Sequence, residues 1–413
     1  MTTFPLGVKI TEDFIDRVLR GLISMFRQFL SPPRLRSTSQ REERHATWLE
    51  LFYDLVLVVA VSQVADTLSE DHSLKGLMVF IGLFLPIWWV WAGHTVYATR
   101  FDTDDLIYRQ LTFLQMFAVM GMAVEAQHAA EGYGQRFGVA YLAARIILLL
   151  LLTRAFYHVP EGRHFNRIYL IGFGTGAAIW ASSLLLPARQ QFILWGISLA
   201  IEFTTPWLVW RKKHPSTHVS ASHIPERLGL FTIIVLGESV VAAVRGLAQE
   251  QWLPAAFATA ALGFVFATCI WWIYFRHLER AIGRIRLGSG QPYIYSHLPL
   301  LIGIVVVSVG LVLAIIQSHQ PSLPGDVIGL LWGGFFLWLL GSFLLHRVAC
   351  PPEARTSVIR YAGMFAAVFF FALVSRFLPP VVVVAIMSAC ALVFVFMDEQ
   401  TRLGTTTCEV CKQ

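Results

Sequence analysis

Long apolar runs constrain this 413-residue chain more than any other feature. Each run holds about 17 to 23 mainly apolar residues, enough for a helix to cross roughly 30 Å of hydrocarbon. Only 14% of all residues are charged, against roughly a quarter in soluble proteins. The sequence therefore predicts an all-α fold, a polytopic bundle of about twelve transmembrane helices, with runs at 49–68, 77–97, 106–126, 137–157, 168–186, 192–210, 228–247, 255–275, 294–316, 327–345, 357–378 and 381–397.

The basic residues are distributed unevenly between the two sides that such a bundle defines. If the N-terminus is cytoplasmic, the inside segments carry 26 of the 32 Lys and Arg residues, and Arg145 lies within a run. An excess of Lys and Arg in inside segments is the positive-inside pattern of membrane proteins. We therefore expect both termini in the cytoplasm, and the net charge of +6 reflects topology rather than a nucleic-acid partner.

The two ends of the chain lie outside the apolar runs. Residues 11–30 place apolar side chains at helical spacing with arginines between them, which predicts an amphipathic helix on the cytoplasmic membrane surface. Cys408 and Cys411 form a lone Cys-x-x-Cys in the tail, half of the four-ligand set that structural zinc needs. We expect no metal or cofactor, and a tail that is mainly disordered.

Short matches between the two halves of the sequence predict an internal repeat. Four matches recur in the same order, 179 to 192 residues apart: Leu51-Phe52 with Leu230-Phe231, Trp88-Trp89 with Trp271-Trp272, Ile107-Tyr108 with Ile294-Tyr295, and Leu186-Pro187 with Leu378-Pro379. Duplication of a six-helix unit would give both halves the same orientation; chance matches between apolar segments are the alternative. The predicted units are a cytoplasmic segment 1–47, repeats 48–210 and 226–397, a cytoplasmic linker 211–225 and a cytoplasmic tail 398–413.

Two carboxylates stand near the start of the first run. Glu50 and Asp54 are four residues apart, so they share a helix face, and an ionised carboxylate in hydrocarbon costs about 2.5 kcal/mol or more. Both lie roughly 2 to 8 Å inside the cytoplasmic edge. They are candidates for a cytoplasmic mouth, or for acids that interact only with the positive N-terminal end of the helix.

A third carboxylate, Glu238, lies about 15 Å from either end of the seventh run. Arg227, Glu238 and Arg245 follow i, i+11 and i+18, so they share a face that should point into the bundle. Glu238 is therefore a candidate ion-binding residue or proton carrier. The alternative is a purely structural ion pair between helices.

Further polar residues occur within the runs. A buried arginine keeps its proton and needs a counter-ion, so we predict that Arg145 pairs with Glu238 or with Glu202. Glu202 precedes Pro206, whose missing backbone hydrogen bond can expose carbonyl oxygens to a cavity. His94 belongs to a polar and aromatic stripe that could line a vestibule with Glu50 and Asp54, or could simply be an interfacial histidine.

Two long motifs carry a family resemblance: Arg44-His45-Ala46-Thr47-Trp48-Leu49-Glu50-Leu51-Phe52-Tyr53-Asp54-Leu55-Val56 and Glu226-Arg227-Leu228-Gly229-Leu230-Phe231-Thr232-Ile233-Ile234-Val235-Leu236-Gly237-Glu238-Ser239. With the 271–275 stretch they resemble the bacterial low temperature requirement A (LtrA) family over about residues 44–400. The resemblance implies a multi-pass protein of the bacterial cytoplasmic membrane with a role in growth at low temperature. It brings no settled substrate, reaction or catalytic residue.

Taken together, the sequence favours a transporter or channel for a cation, a proton or a cation-coupled solute, with a pathway between the halves. Glu238 would be the central site, Glu50 and Asp54 the cytoplasmic mouth, and Arg145 or Arg227 would compete for the Glu238 carboxylate. A non-transporting lipid-binding or membrane-assembly protein is the alternative. An intramembrane lipid enzyme is disfavoured because no nucleophile or metal set is recognisable. The expected partners are the lipid bilayer and a small ion or solute, with a homodimer possible.

Overall fold

The computed structural model describes residues 32–35, 46–102, 104–211, 223–281, 290–349 and 354–410. Over these residues the fold is all-α and 89% helical. The helices are α1 (Trp48–Glu70), α2 (Leu74–Arg100), α3 (Leu106–Ala130), α4 (Gln135–His158), α5 (Arg163–Ser183), α6 (Ala188–Arg211), α7 (His223–Gln249), α8 (Pro254–Ala281), α9 (Gln291–Ile316), α10 (Gly325–Ala349), α11 (Ala354–Val374) and α12 (Pro380–Val410). Each predicted apolar run therefore corresponds to a helix.

Ten of the twelve helices in the described part of the chain are long and apolar enough to cross a membrane. The other two are α3 and α5, which carry more polar and charged side chains. At the other end, α12 continues beyond its predicted end to Val410, so residues 398–410 of the tail are helical where we expected disorder. The predicted amphipathic helix at 11–30 and the residue Cys411 lie outside the described residues.

Polar caps fix where the first helices begin. Thr47 and Glu50 form a reciprocal capping box at α1, in which the Thr47 backbone N–H donates to Glu50 Oε2 at 2.8 Å. The Glu50 N–H donates to Thr47 Oγ1 at 3.3 Å, so two otherwise unpaired donors are satisfied. The side chains of Ser73 and Asp105 cap α2 and α3, and each accepts a single hydrogen bond from a backbone N–H of the first turn.

Helix α9 is the central element of the bundle. It packs against α1, α7, α8, α10 and α12. Of the residues in its most apolar 18-residue stretch, 78% are buried, compared with 22% for the same stretch of α11. A helix that is apolar on all sides belongs in the middle of a bundle. Helix α9 therefore joins the N-terminal and C-terminal helices into one core.

The packing of neighbouring helices follows the same order in both halves. Helix α1 packs against α2 and α3, and α3 to α6 then pack sequentially; α7 packs against α8 and α9, and α9 to α12 then pack sequentially. The second half adds an extensive contact between α8 and α12, where α2 and α6 of the first half make little or none. The halves meet where α1 contacts α7 and α9, and where α2 contacts α7. A two-residue antiparallel ladder, β1 (Arg34–Leu35) with β2 (Phe101–Asp102), ties an N-terminal segment to the end of α2.

Glycines allow α9 and α10 to approach each other closely. A Cβ on Gly303 would lie 2.4 Å from the Trp338 backbone nitrogen, and a Cβ on Gly341 would lie 2.5 Å from the Leu300 backbone nitrogen. Backbone atoms cannot move aside as a flexible side chain can. This is the small-residue packing typical of helices in membranes.

We predict that Gly303→Ala lowers the free energy of unfolding by about 1 to 3 kcal/mol, because the added methyl overpacks the α9–α10 contact. The measurement is thermal or detergent-induced unfolding of the purified protein followed by circular dichroism. Gly333→Ala is the matched control, since a Cβ there meets no atom within 4 Å, and it should cause no loss. Equal stability of the two variants would contradict the proposed close packing.

Candidate functional site

A buried ion pair joins α1 to α7 across the interface between the halves. Arg227 Nη1 donates to Asp54 Oδ2 at 2.8 Å and Arg227 Nη2 donates to Asp54 Oδ1 at 2.7 Å. Trp91 of α2 donates its indole N–H to Asp54 Oδ1 at 2.7 Å. Both charged side chains are 0% exposed. The two-pronged geometry is the strongest arrangement for an arginine and a carboxylate, so this contact fixes how three helices meet.

The first turns of α1 and α7 position this pair. His223, in the first turn of α7, places Nε2 3.6 Å from Glu50 Oε1, and its Nδ1 lies 2.9 Å from Thr99 Oγ1 at the end of α2. The backbone N–H of Ala46 donates to Glu226 Oε1 at 3.3 Å. These contacts hold the starts of α1 and α7 side by side.

Two further polar contacts continue along the same interface. Ser62 Oγ donates to Glu238 Oε2 at 3.3 Å, and Arg245 Nη1 donates to Asp66 Oδ1 at 2.7 Å. These four residues, together with Asp54 and Arg227, make six that define a polar seam between α1 and α7. The contacts occur in the same order along both helices, so α1 and α7 run in the same direction.

The polar seam becomes more exposed along its length. Asp54 and Arg227 are fully buried, Glu238 is half-buried, and the side chains of Asp66 and Arg245 are 42% and 52% exposed. The face of α7 that carries Arg227, Glu238 and Arg245, which we expected to point into the bundle, is therefore buried only near Arg227. The seam is buried at the end where α1 and α7 begin and exposed at the other.

Glu238 has a different environment from the one we expected. Within the described residues, no basic side chain forms an ion pair with it, and the Ser62 hydroxyl is its hydrogen-bond donor. The expected competition of Arg145 or Arg227 for this carboxylate is wrong for this structure, because both arginines bind other acids. A half-buried carboxylate about 15 Å along a membrane-length helix is thus left with one hydroxyl partner.

A second buried ion pair lies within the first half, and it confirms the predicted partner of Arg145. Arg145 of α4 forms a salt bridge with Glu202 of α6, and both side chains are 0% exposed. Tyr141 connects them: its hydroxyl accepts from Arg145 Nη2 at 2.8 Å and donates to Glu202 Oε2 at 2.8 Å. The ring of Phe173 lies 5.0 Å from the guanidinium carbon of Arg145. The pair joins α4, α5 and α6 and is separate from the seam.

The structure corrects the expected cytoplasmic mouth. Glu50 and Asp54 are 1% and 0% exposed, so they lie in the packed interior rather than at an open vestibule. Glu50 is used as a helix cap and Asp54 as an ion-pair partner. His94 is likewise fully buried, with Nε2 3.2 Å from the Tyr108 hydroxyl and its ring edge-on to Tyr53.

Sequence reasoning missed two residues that complete these pairs. Tyr141 precedes Arg145 by four residues, so both share one helix face, and this spacing was the available signal. His223 falls within the predicted linker 211–225, whereas it begins α7 and is buried. The Pro-Glu-Arg sequence after it is a helix-start pattern that could have placed it.

This fold and these sites define a multi-pass helical membrane protein in which two interior ion pairs, Asp54–Arg227 and Arg145–Glu202, join helices. The sequence model of the family described as Bacterial low temperature requirement A protein (LtrA) matches residues 45–395. The chain therefore belongs to the LtrA family. It is also 27% identical over 339 residues to an uncharacterized protein of Rhizobium meliloti (strain 1021), a match that covers 78% of this chain and 81% of the relative.

We predict that Asp54→Ala lowers the free energy of unfolding by about 3 to 5 kcal/mol, because it leaves the buried Arg227 charge unpaired. Replacing both residues together, Asp54→Leu with Arg227→Met, should recover most of this loss. The measurement is detergent-induced unfolding of each purified variant.

Asp66→Ala is the matched control for this prediction. It removes the exposed ion pair of the same two helices, and exposed pairs contribute about 1 kcal/mol or less. If Asp54→Ala and Asp66→Ala destabilise the protein equally, the Asp54–Arg227 pair does not hold the interface.

Proposed function

We propose that this protein is a transporter or channel of the bacterial cytoplasmic membrane that moves a cation or a proton, alone or with a solute, along the interface between α1 and α7. The observation that carries this proposal is Glu238, a half-buried carboxylate with no ion-pair partner among the described residues. Carboxylates at membrane depth mark ion and proton pathways unless a structural partner neutralises them. Asp54 and Glu202 have such partners, whereas Glu238 accepts a hydrogen bond from the Ser62 hydroxyl and has Arg245 only as a more distant positive charge.

In this proposal the Asp54–Arg227 pair is the closed gate. It blocks the polar seam at the end where α1 and α7 begin, while the exposed Asp66 and Arg245 stand at the other end. Passage then requires a second state in which the pair separates or moves with one helix. Two discrete arrangements of a packed interface are the usual basis of such transitions.

We further propose that all twelve helices cross the membrane as two six-helix repeats with both termini in the cytoplasm. The shared order of helix packing in the two halves and the common direction of α1 and α7 support this. The environments of the repeated motifs have diverged, since Trp88 and Trp89 are buried whereas Trp271 and Trp272 are 41% and 46% exposed. Divergence of this kind is consistent with one half carrying a site that the other lacks.

A second function, the binding of an anionic lipid, is favoured by one observation. A cavity between α2, α4 and α5 holds a buried arginine with unused hydrogen-bond donors. Lipid binding is compatible with a structural role in membrane assembly, which requires no ion movement. The flux experiment below separates the two functions.

We predict that liposomes containing the purified protein conduct protons or monovalent cations, and that Glu238→Gln reduces this flux to the level of protein-free liposomes. The substitution keeps the shape of the side chain and removes the charge and the exchangeable carboxyl proton. Proton entry is followed with a trapped pH-sensitive dye, and K⁺ and Na⁺ are tested separately with imposed gradients.

Glu70→Gln is the matched control, because Glu70 is an exposed carboxylate at the end of α1 that bonds Gln127, outside the polar seam. Its flux should equal that of the unchanged protein. Flux that survives Glu238→Gln would refute the assigned site, and absence of flux for all three cations would refute transport.

A further inference from the structure

A cavity opens at the end of the bundle where α2 finishes and α5 and α9 begin. Its volume is about 30 Å³, and it opens to the surface on one side. Aromatic and aliphatic side chains form most of its wall, and the polar contributions come from Arg100, Gln291 and tyrosines. None of Asp54, Glu238 and Glu202 lines it, although Phe173 of its wall also contacts Arg145. The cavity is therefore a separate feature from the polar seam.

Arg100, the last residue of α2, is the unusual member of this wall. Its side chain is buried, with 4% exposure, and it lines the cavity. Its nitrogens Nε, Nη1 and Nη2 have no hydrogen-bond partner among the described residues. Arginine stays charged in proteins, and buried polar groups in native proteins are nearly always satisfied. Three unused donors on one buried cation call for an acceptor from outside the chain.

The surroundings of Arg100 stabilise its charge without using its donors. The guanidinium carbon lies 5.0 Å from the ring centre of Phe165 and 5.4 Å from that of Tyr169. Contacts with aromatic rings and the negative end of the α2 dipole favour a cation here. The N–H bonds of a guanidinium, however, point outward in its plane, where a carboxylate or phosphate binds with paired hydrogen bonds. The site is therefore preorganised for an anion.

The remaining wall indicates what the anion is attached to. Val96, Leu148 and Leu152 continue the cavity as an aliphatic surface, and Phe173 adds an aromatic one. Leu148, Leu152 and Phe173 are 1%, 5% and 3% exposed, so an anion at Arg100 meets an apolar wall there. An apolar group attached to the anion fits such a wall better than hydration water does. Gln291, whose Nε2 lies 3.4 Å from the Tyr169 hydroxyl, adds a polar group to the cavity wall.

We propose that this cavity binds an amphipathic anion, whose carboxylate or phosphate pairs with Arg100 and whose nearest methylene groups contact Val96, Leu148 and Leu152. Both an anionic membrane lipid and a soluble fatty carboxylate have this chemistry. The site does not depend on ion transport, because none of its residues belongs to the polar seam. It stands even if the proposed ion transport fails, and it deepens the second function by naming the ligand chemistry.

Thermal unfolding of the delipidated full-length protein in neutral detergent tests this proposal. The probes are phosphatidylglycerol, laurate, inorganic phosphate and the uncharged dodecanol, each added separately, since a ligand that binds the folded state raises the unfolding temperature. We expect stabilisation by phosphatidylglycerol or laurate and none by dodecanol or inorganic phosphate. Stabilisation by phosphatidylglycerol but not by laurate would identify a membrane lipid as the ligand. Stabilisation by laurate but not by phosphatidylglycerol would identify a soluble amphiphile.

Substitutions then assign the effect to the cavity. Arg100→Gln should abolish stabilisation and Arg100→Lys should retain part of it. Arg109→Gln is the matched control, an exposed arginine of α3 that pairs with Asp104, and it should respond as the unchanged protein does. If Arg100→Gln does not fold, Val96→Phe keeps the charge but narrows the cavity, and it should weaken stabilisation by the same probe.

Several results would overturn the proposal. One is that neither anionic amphiphile stabilises the protein. Another is that dodecanol or inorganic phosphate stabilises it as much as the anionic amphiphiles do. Full stabilisation of both Arg100→Gln and Val96→Phe would also overturn it.

Discussion

The salt bridge between Asp54 and Arg227 is the contact on which the arrangement of the two halves depends. Each charge alone would be costly in a dry interior, and the desolvation cost is offset only when geometry and extra hydrogen bonds are both good. Here the guanidinium meets the carboxylate with two bonds, and the Trp91 indole adds a third. Because the three residues belong to α1, α2 and α7, one electrostatic requirement fixes the relative rotation of three helices.

Because each buried charge needs a close, well-oriented partner, the interior charges occur as separate pairs rather than as one network. Arg145 and Glu202 are joined through Tyr141 inside the first half, while Asp54 and Arg227 are joined between the halves. A change at one pair does not leave the other unpaired. The first half can therefore remain intact while the interface of α1 and α7 changes, as a gate at that interface requires.

The helices were predictable from the sequence, because hydrocarbon thickness dictates the length of each apolar run. The Arg145–Glu202 pair was predictable as one of two alternatives, since a buried arginine must have an acid nearby. The partner of Asp54 was not, because counting residues gives the depth of a side chain but not the direction in which its helix is rotated. Arg100 was hidden for a related reason: at the end of α2 it contributed to the positive-inside count, and only the packing of α5 shows that it is buried.

Asp54 and Arg227 are separated by 173 residues in the chain, and this spacing has a consequence for biosynthesis. At roughly 5 to 20 residues per second, the ribosome needs about 10 to 35 s to deliver the arginine after the aspartate. During that interval α1 reaches the membrane with an acid that has no charged partner. The Trp91 indole of α2 is the hydrogen-bond donor that Asp54 can meet before α7 arrives. Insertion of the seventh helix is thus the event that allows the first helix to take its final depth.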